Sequence, residues 1–122
     1  MSDLRDYRDL EVWKKSIDLA AKTQRISRNF PRGELFGLTS QMRRAAVSVA
    51  ANIAEGAERN TTGEFMQFLG IARGSAAEVE TLIVLAQEFG YLTPPQSEPL
   101  LANLQVIRKM RSALMRSLRS KL

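Results

Sequence analysis

The chain has 122 residues, a length that suits one domain with a hydrophobic core of its own. It contains neither cysteine nor histidine. That excludes disulfides, thiolate chemistry, imidazole general bases and the commonest metal ligand. The formal net charge is +5, a basic balance that suits an anionic partner such as nucleic acid.

The opening stretch MSDLRDYRDLEVWKK is charged throughout and has no signal-peptide apolar region. No apolar run approaches the roughly 20 residues needed to span a bilayer. The expectation is a cytoplasmic protein with no membrane partner, a single domain over residues 1–122 and four helices. Three breaks separate the helices: Pro31 with Gly33, then Asn60, Thr61 and Gly63, then Gly90 with Pro94–Pro95. Between the breaks, apolar residues recur at spacings of three and four, the helical period. No segment alternates with period two over a useful length, so no strand is expected.

Helix one is predicted over about 9–29, with Asp9 and Glu11 at the positive end of its dipole. It carries two neighbouring stripes, one of Leu10, Trp13, Ile17 and Ala20, the other of Val12, Leu19, Ile26 and Phe30. Helix two is predicted over about 34–58, with a core stripe of Leu35, Leu38, Met42, Ala45, Val49 and Ile53. A second small-residue face, Val47, Ala50 and Ala54 with Ala51 nearby, exceeds what a bundle helix needs for one core. Alanine is also simply a good helix former, but the reading favoured is a subunit interface. A polar line of Arg44, Ser48, Asn52 and Glu55, continued by Arg59, stacks along one edge of the same helix. It reads mainly as a hydrogen-bonded seam that fixes register between helices. A ligand site is the alternative, and a single carboxylate is too little for a metal. Gly56 allows close passage of a neighbour.

Helix three is predicted over about 61–89, opened by a capping box of Thr61 and Glu64. Its apolar face holds Phe65, Phe68, Ala72, Val79, Leu82, Ala86 and Phe89, and Gly90 follows its end. Gly70 and Gly74, with Ala72, Ala76 and Ala77, form a slim waist whose expected compensation is close helix packing. Helix four is predicted over about 94–120, with Thr93 as N-cap, Pro94 at the first position and Gln96 completing a second capping box. Its stripe is Leu100, Leu104, Ile107, Leu114 and Leu118. Arg111 falls inside that apolar arc, so an acid partner from another helix is expected, Glu78 or Glu80, with snorkelling from a boundary position as the alternative. Four helices joined by short connections imply an all-α, up-down-up-down antiparallel four-helix bundle.

The charge is unevenly placed. Residues 1–98 hold 12 Lys and Arg against 13 Asp and Glu, whereas residues 99–122 hold six cations and no acid. The basic excess therefore belongs to helix four. Arg108, Lys109, Arg116 and Arg119 share one side, opposite the leucines, and form a candidate nucleic-acid-binding ridge. Without an aromatic residue to stack on bases, such a ridge predicts weak sequence preference. The helix dipole is a competing, non-functional reason for some of these cations.

The segments DLEVWKKSIDL, FPRGELFGLTSQMRRAAVSVAANIAEGAER, EFMQFLGIARGSAAEVETL and FGYL together resemble the four-helix bundle proteins encoded in intervening sequences of bacterial 23S rRNA genes. The resemblance covers roughly residues 9–92 and leaves helix four outside its strong part. It implies a four-helix bundle protomer and a ring-shaped homopentamer. It also implies kinship with the accessory protein of diversity-generating retroelements, a basic pentamer that associates with nucleic acid and a reverse transcriptase. A nucleic-acid-processing protein is thus an implied partner beside RNA or DNA. The family's motif positions fall here on Trp13, Arg44, Ser48, Asn52, Glu55, Gly56, Arg59, Glu64, Gly74, Ser75 and Glu78, with roles that look structural. An aromatic residue usual near Gln24 and a proline usual near Ala50 are missing.

Three functions compete at this stage. A nucleic-acid-associated homo-oligomer fits best. A structural or protein-interaction scaffold also fits. An enzyme fits poorly, because the chain lacks histidine, cysteine, a phosphate-binding loop and paired carboxylates in a cleft, and no cofactor is expected.

Overall fold

Four long helices follow one another, each opened or closed by residues suited to the task. In the computed structural model, which describes residues 6–122, they are α1 (Glu11–Ile26), α2 (Leu38–Ala57), α3 (Thr62–Glu88) and α4 (Pro94–Arg119). No strand occurs among the described residues. Short 3-10 turns at Tyr7–Asp9, Ser27–Asn29 and Arg32–Glu34 complete the chain.

Helix α1 ends at Ile26, three residues before the expected end, and tightens into the turn Ser27–Asn29. The start of α2 is the larger departure. Glu34 and Leu35 were expected inside the helix, yet α2 begins at Leu38, after Gly37. The Glu34 carboxylate explains this: Oε1 accepts the Leu38 amide at 3.2 Å, and Oε2 accepts the Tyr91 hydroxyl at 2.8 Å. One acid upstream of the helix satisfies an orphan first-turn amide and ties α2 to the α3–α4 connection. Leu35 is consequently exposed and contributes nothing to the core.

At the start of α3 the Thr61 hydroxyl oxygen accepts the Glu64 amide at 3.1 Å. The expected box is only half formed, because the Glu64 carboxylate takes the Thr61 hydroxyl proton rather than a backbone amide. At α4 the box is complete: Thr93 Oγ1 accepts from the Gln96 amide, and Gln96 Oε1 accepts from the Thr93 amide. The end of α3 needs Gly90, which has φ of 81°. There the amides of Gly90 and Tyr91 fold back onto the carbonyls of Gln87 and Ala86, at 3.0 and 2.8 Å.

Each helix packs on the one before and the one after it, and α4 returns to α1. Contacts run in opposite sequence directions across every pair, as with Arg43 on Ser27, Ser48 on Ser75, Glu80 on Arg108 and Asp18 on Asn103. The bundle is therefore antiparallel and closed. Val12, Leu19, Met42, Val49, Ile53, Leu69, Val79, Ile83, Leu104 and Ile107 fill its centre. Of the residues expected in the core, Phe89 lies mostly in solvent and Phe68 and Leu114 are half-buried, at the margin. Ser16 and Thr23, buried on α1, and Ser27, buried in the turn after it, are satisfied internally by donating to carbonyls one turn back.

The waist expected on α3 is not a packing surface within the protomer. Gly70 and Gly74 are exposed, with open space where a Cβ would stand, although Ala72 and Ala76 one step away are buried. Gly56 behaves as expected. A Cβ there would meet Phe68 Cβ at 2.7 Å and the Phe65 carbonyl oxygen at 3.2 Å, so α2 and α3 touch where only hydrogen fits.

Candidate functional site

Two surfaces and one internal seam hold the residues singled out from the sequence. The seam lies along α2 where it meets α3. Ser48 and Ser75 share a 2.8 Å hydrogen bond between α2 and α3, and Asn52 Nδ2 donates to both the hydroxyl and the carbonyl of Ser48, at 2.9 and 2.8 Å. Arg59 pairs with Glu55 one turn back at 3.3 Å, and its guanidinium lies 4.7 Å from the centre of the Phe68 ring. Arg44 is exposed, one turn before Ser48. Ser48 thus bonds across to α3, Asn52 holds Ser48 from within α2, and Gly56 lets the two helices touch. No group of three or more acids, histidines or cysteines suited to a metal occurs among the described residues.

The first surface is an open groove of about 250 Å³ between α1 and α2. Trp13, Ile17 and Ala20 form one wall and Val47, Ala51 and Ala54 the other. The expected interface face of α2 is here, with one correction. Ala50 is 5% exposed, so it forms the floor and is already covered within the protomer. Val47 is 57% and Ile17 43% exposed. The two stripes of helix one now separate: Val12 and Leu19 face the core, whereas Trp13, Ile17 and Ala20 face the groove. Tyr7 closes one end, its ring edge-on to Trp13 with centroids 5.3 Å apart. The doubled stripe on helix one was the available signal for this second wall.

The second surface is the basic side of α4. Lys109, Arg116 and Arg119 are exposed. Arg108, Lys109, Ser112 and Arg116 line a shallow depression of about 230 Å³. Arg119 stands in the last helical turn, where the dipole also favours a cation. Arg108 differs from its neighbours because its guanidinium donates to Glu80 of α3 and forms an ion pair.

That pair overturns the acid partner expected for Arg111 and leaves the boundary position that was the alternative. The acid predicted for Arg111 belongs to Arg108, and Glu78 is exposed on α3 without bonding either arginine. Arg111 lies half-buried one turn further on, at a crevice between α3 and α4 that Arg73 also lines. Its pKa is lowered from the ordinary arginine value, chiefly by burial and then by the charges of Arg73 and Arg119. Arg73 went unnoticed in the sequence because it sits alone on α3, far from the acid-free run.

No described helix is long and apolar enough to cross a membrane. The 23S rRNA-intervening sequence protein family matches the chain over residues 8–113. Among solved structures, a protein of unknown function from the S23 ribosomal protein family of Bacteroides thetaiotaomicron VPI-5482 is similar. The two chains share 24% identity with a TM-score of 0.79, over 86% of this chain and 95% of the other, a likeness of fold. No curated protein matches.

Proposed function

The chain belongs to the 23S rRNA-intervening sequence protein family, and from that premise we propose a non-enzymatic, cytoplasmic homo-oligomer that associates with the backbone of RNA or DNA through α4. The observation that carries this reading is the acid-free run of residues 99–122, whose cations Lys109, Arg116 and Arg119 lie exposed on one side of a helix. Neutralising phosphates releases counterions, so affinity falls steeply with salt and depends little on sequence. Arg108 contributes less than its charge suggests, because Glu80 already takes it.

The apolar groove supports self-assembly, and the ring-shaped homopentamer implied by the family resemblance is the arrangement proposed. A ring would repeat the basic side around an axis and raise avidity for a long polyanion. The proposed kinship with the retroelement accessory protein makes a nucleic-acid-processing enzyme a suitable partner. A scaffold without a nucleic-acid role is the competing reading, and the groove favours it equally.

The test reverses Lys109, Arg116 and Arg119 to glutamate and leaves the Arg108–Glu80 pair intact. Binding of labelled single-stranded RNA and duplex DNA is then followed between about 50 and 200 mM salt. The expected result is at least a tenfold loss of affinity. The salt slope should fall by about two to three for duplex DNA, near 0.9 per lost phosphate contact. Unchanged binding by a variant that keeps its oligomeric state would remove α4 as the contact surface and leave the scaffold reading.

A further inference from the structure

We propose that the connection between α1 and α2 presents Phe36, together with Arg28 and Arg32, as a platform on which one base of a single-stranded nucleic acid stacks. The inference rests on the nucleic-acid reading and adds a second contact to it, at the end of the bundle opposite Arg116 and Arg119.

Phenylalanine is among the residues most often buried, yet Phe36 is 95% exposed. Among the described residues no aromatic ring packs on it and no guanidinium lies over it, so both ring faces are open. A loose loop is not the cause. The amides of Glu34, Leu35 and Gly37 donate to the carbonyls of Pro31, Arg32 and Glu34 at 2.9, 3.1 and 2.9 Å. The Glu34 carboxylate, bonded to the Leu38 amide and the Tyr91 hydroxyl, ties the same turn to the bundle. A Cβ at Gly37 would press on Glu34 Oε1 at 3.0 Å, so the glycine leaves that carboxylate its place. A ring held on a fixed turn loses little freedom when a ligand covers it.

The surroundings are basic. Residues 19–54 hold six cations, Lys22, Arg25, Arg28, Arg32, Arg43 and Arg44, and one acid, Glu34, which is already engaged. Of the six, only Lys22 has a carboxylate partner among the described residues, Asp18. Arg28 and Arg32 are exposed. Arg43 donates to Ser27 Oγ at 2.8 Å, which sets its guanidinium beside the turn that carries Arg28. Arg32 and Phe36 are four apart in a turn of near-helical backbone, a spacing that favours one side. The dipole of α1 favours Arg25 and Arg28, but Arg32, Arg43 and Arg44 stand at or near the positive end of α2, where it gives them nothing.

An open ring among unpaired guanidinium groups suits a flexible polyanion that also offers planar apolar faces. Single-stranded nucleic acid has both: a base covers Phe36 while phosphates along the strand meet Arg28 and Arg32. A duplex offers the phosphates but keeps its bases stacked on one another. An anionic lipid surface suits a broader apolar face, and this connection adds only Leu35 to Phe36.

The experiment compares wild type with Phe36→Leu, Phe36→Trp and Arg28→Gln/Arg32→Gln, using a labelled single-stranded RNA and a duplex DNA. Leucine keeps an apolar side chain and removes the ring face. Phe36→Leu should bind RNA about five- to tenfold more weakly with an unchanged salt slope, and duplex DNA as wild type does. Phe36→Trp should bind RNA at least as tightly as wild type. The arginine variant should lower the RNA salt slope by about 1.4, or 0.7 for each of two phosphate contacts. Phe36→Leu should melt with wild type, and a lower melting temperature or a changed oligomeric state would overturn the claim that the ring is free for a ligand. Unchanged RNA affinity in Phe36→Leu, with binding still lost on reversing Lys109, Arg116 and Arg119, would discard the platform and spare the α4 reading. Equal losses for RNA and duplex DNA would discard stacking. If wild type bound neither nucleic acid, the reading beneath the platform would fall with it. Cosedimentation of that wild type with vesicles of phosphatidylcholine and phosphatidylserine would then reassign the surface to a lipid.

Discussion

Gly56 of α2 sits against Phe68 of α3 so closely that a Cβ built on the glycine would lie 2.7 Å from the phenylalanine Cβ. The obstacle is the root of a side chain, and the Phe65 carbonyl stands behind it at 3.2 Å, so neither can swing away. Gly56→Ala should therefore destabilise the fold, although alanine is the better helix former by roughly 1 kcal/mol. Overpacking costs about 1–3 kcal/mol; a clash with both a Cβ and a backbone carbonyl belongs to the upper half of that range, so a net loss of about 1–2 kcal/mol is expected in chemical denaturation. An unchanged or raised midpoint would show that α2 and α3 can separate freely.

Gly74 provides the opposite case. Open space surrounds it, so Gly74→Ala should stabilise an isolated protomer by about 0.5–1 kcal/mol through helix propensity. Loss of assembly in this variant, with the gain in protomer stability, would place a neighbouring subunit against that face of α3.

Two turns before Gly56, Ser48 joins the same pair of helices through Ser75 and also accepts from Asn52. Ser48→Ala removes both side-chain bonds and should cost about 1–2 kcal/mol. Ser75→Ala leaves the Asn52 bond in place and should cost about half as much. A double-mutant cycle should return a coupling of about 0.5–1 kcal/mol. Additive effects would mean that the hydroxyl pair contributes nothing to register.

Helix count, order and the caps at Thr61, Thr93–Gln96 and Gly90 were legible because they depend on local signals. The start of α2 was not. Leu35 keeps a helical spacing with Leu38, and what excludes it is a carboxylate bond made across the bundle to Tyr91. The basic side of α4 was legible because an acid-free run is a matter of composition. Which arginine takes Glu80 was not, since a shift of one turn in interhelical register exchanges Arg108 for Arg111. The α3 glycines misled for a related reason: glycine inside a helix implies close approach, but the sequence does not say on which side, or by what.

The Tyr91 hydroxyl donates to Glu34, and this bond to a carboxylate, with burial, raises the tyrosine pKa above its ordinary value. A raised folded-state pKa contributes stability that is present below the unfolded value, near 10, and is lost as pH rises through the folded value. Tyr91→Phe should thus lower stability at neutral pH. Its difference from wild type should shrink as pH rises beyond about 10. A difference independent of pH would assign the effect to packing alone, through the Phe30 and Phe89 rings 5.6 and 5.7 Å away.

The groove between α1 and α2 gives the clearest test of assembly, and the burial pattern decides which residues to change. Ala50 is a poor probe. It lies on the groove floor beneath Trp13, Ile17 and Ala20, so a glutamate there would be buried in the protomer and would disrupt the fold itself. Val47 is 57% exposed and Ala54 only half-buried. A glutamate at either position can reach solvent in an isolated protomer, yet would be trapped in apolar surroundings if a second subunit covered the groove. Val47→Glu and Ala54→Glu are therefore expected to dissociate the oligomer at micromolar concentration with helix content preserved by far-UV circular dichroism. Trp13 reports the same event, because covering the groove should shift its fluorescence to shorter wavelength and dissociation should reverse the shift. Wild type sedimenting as a monomer at that concentration would end the assembly reading. An oligomer that tolerates both glutamates would move its interface off α1 and α2, leaving the exposed glycine face of α3 as the next surface to change.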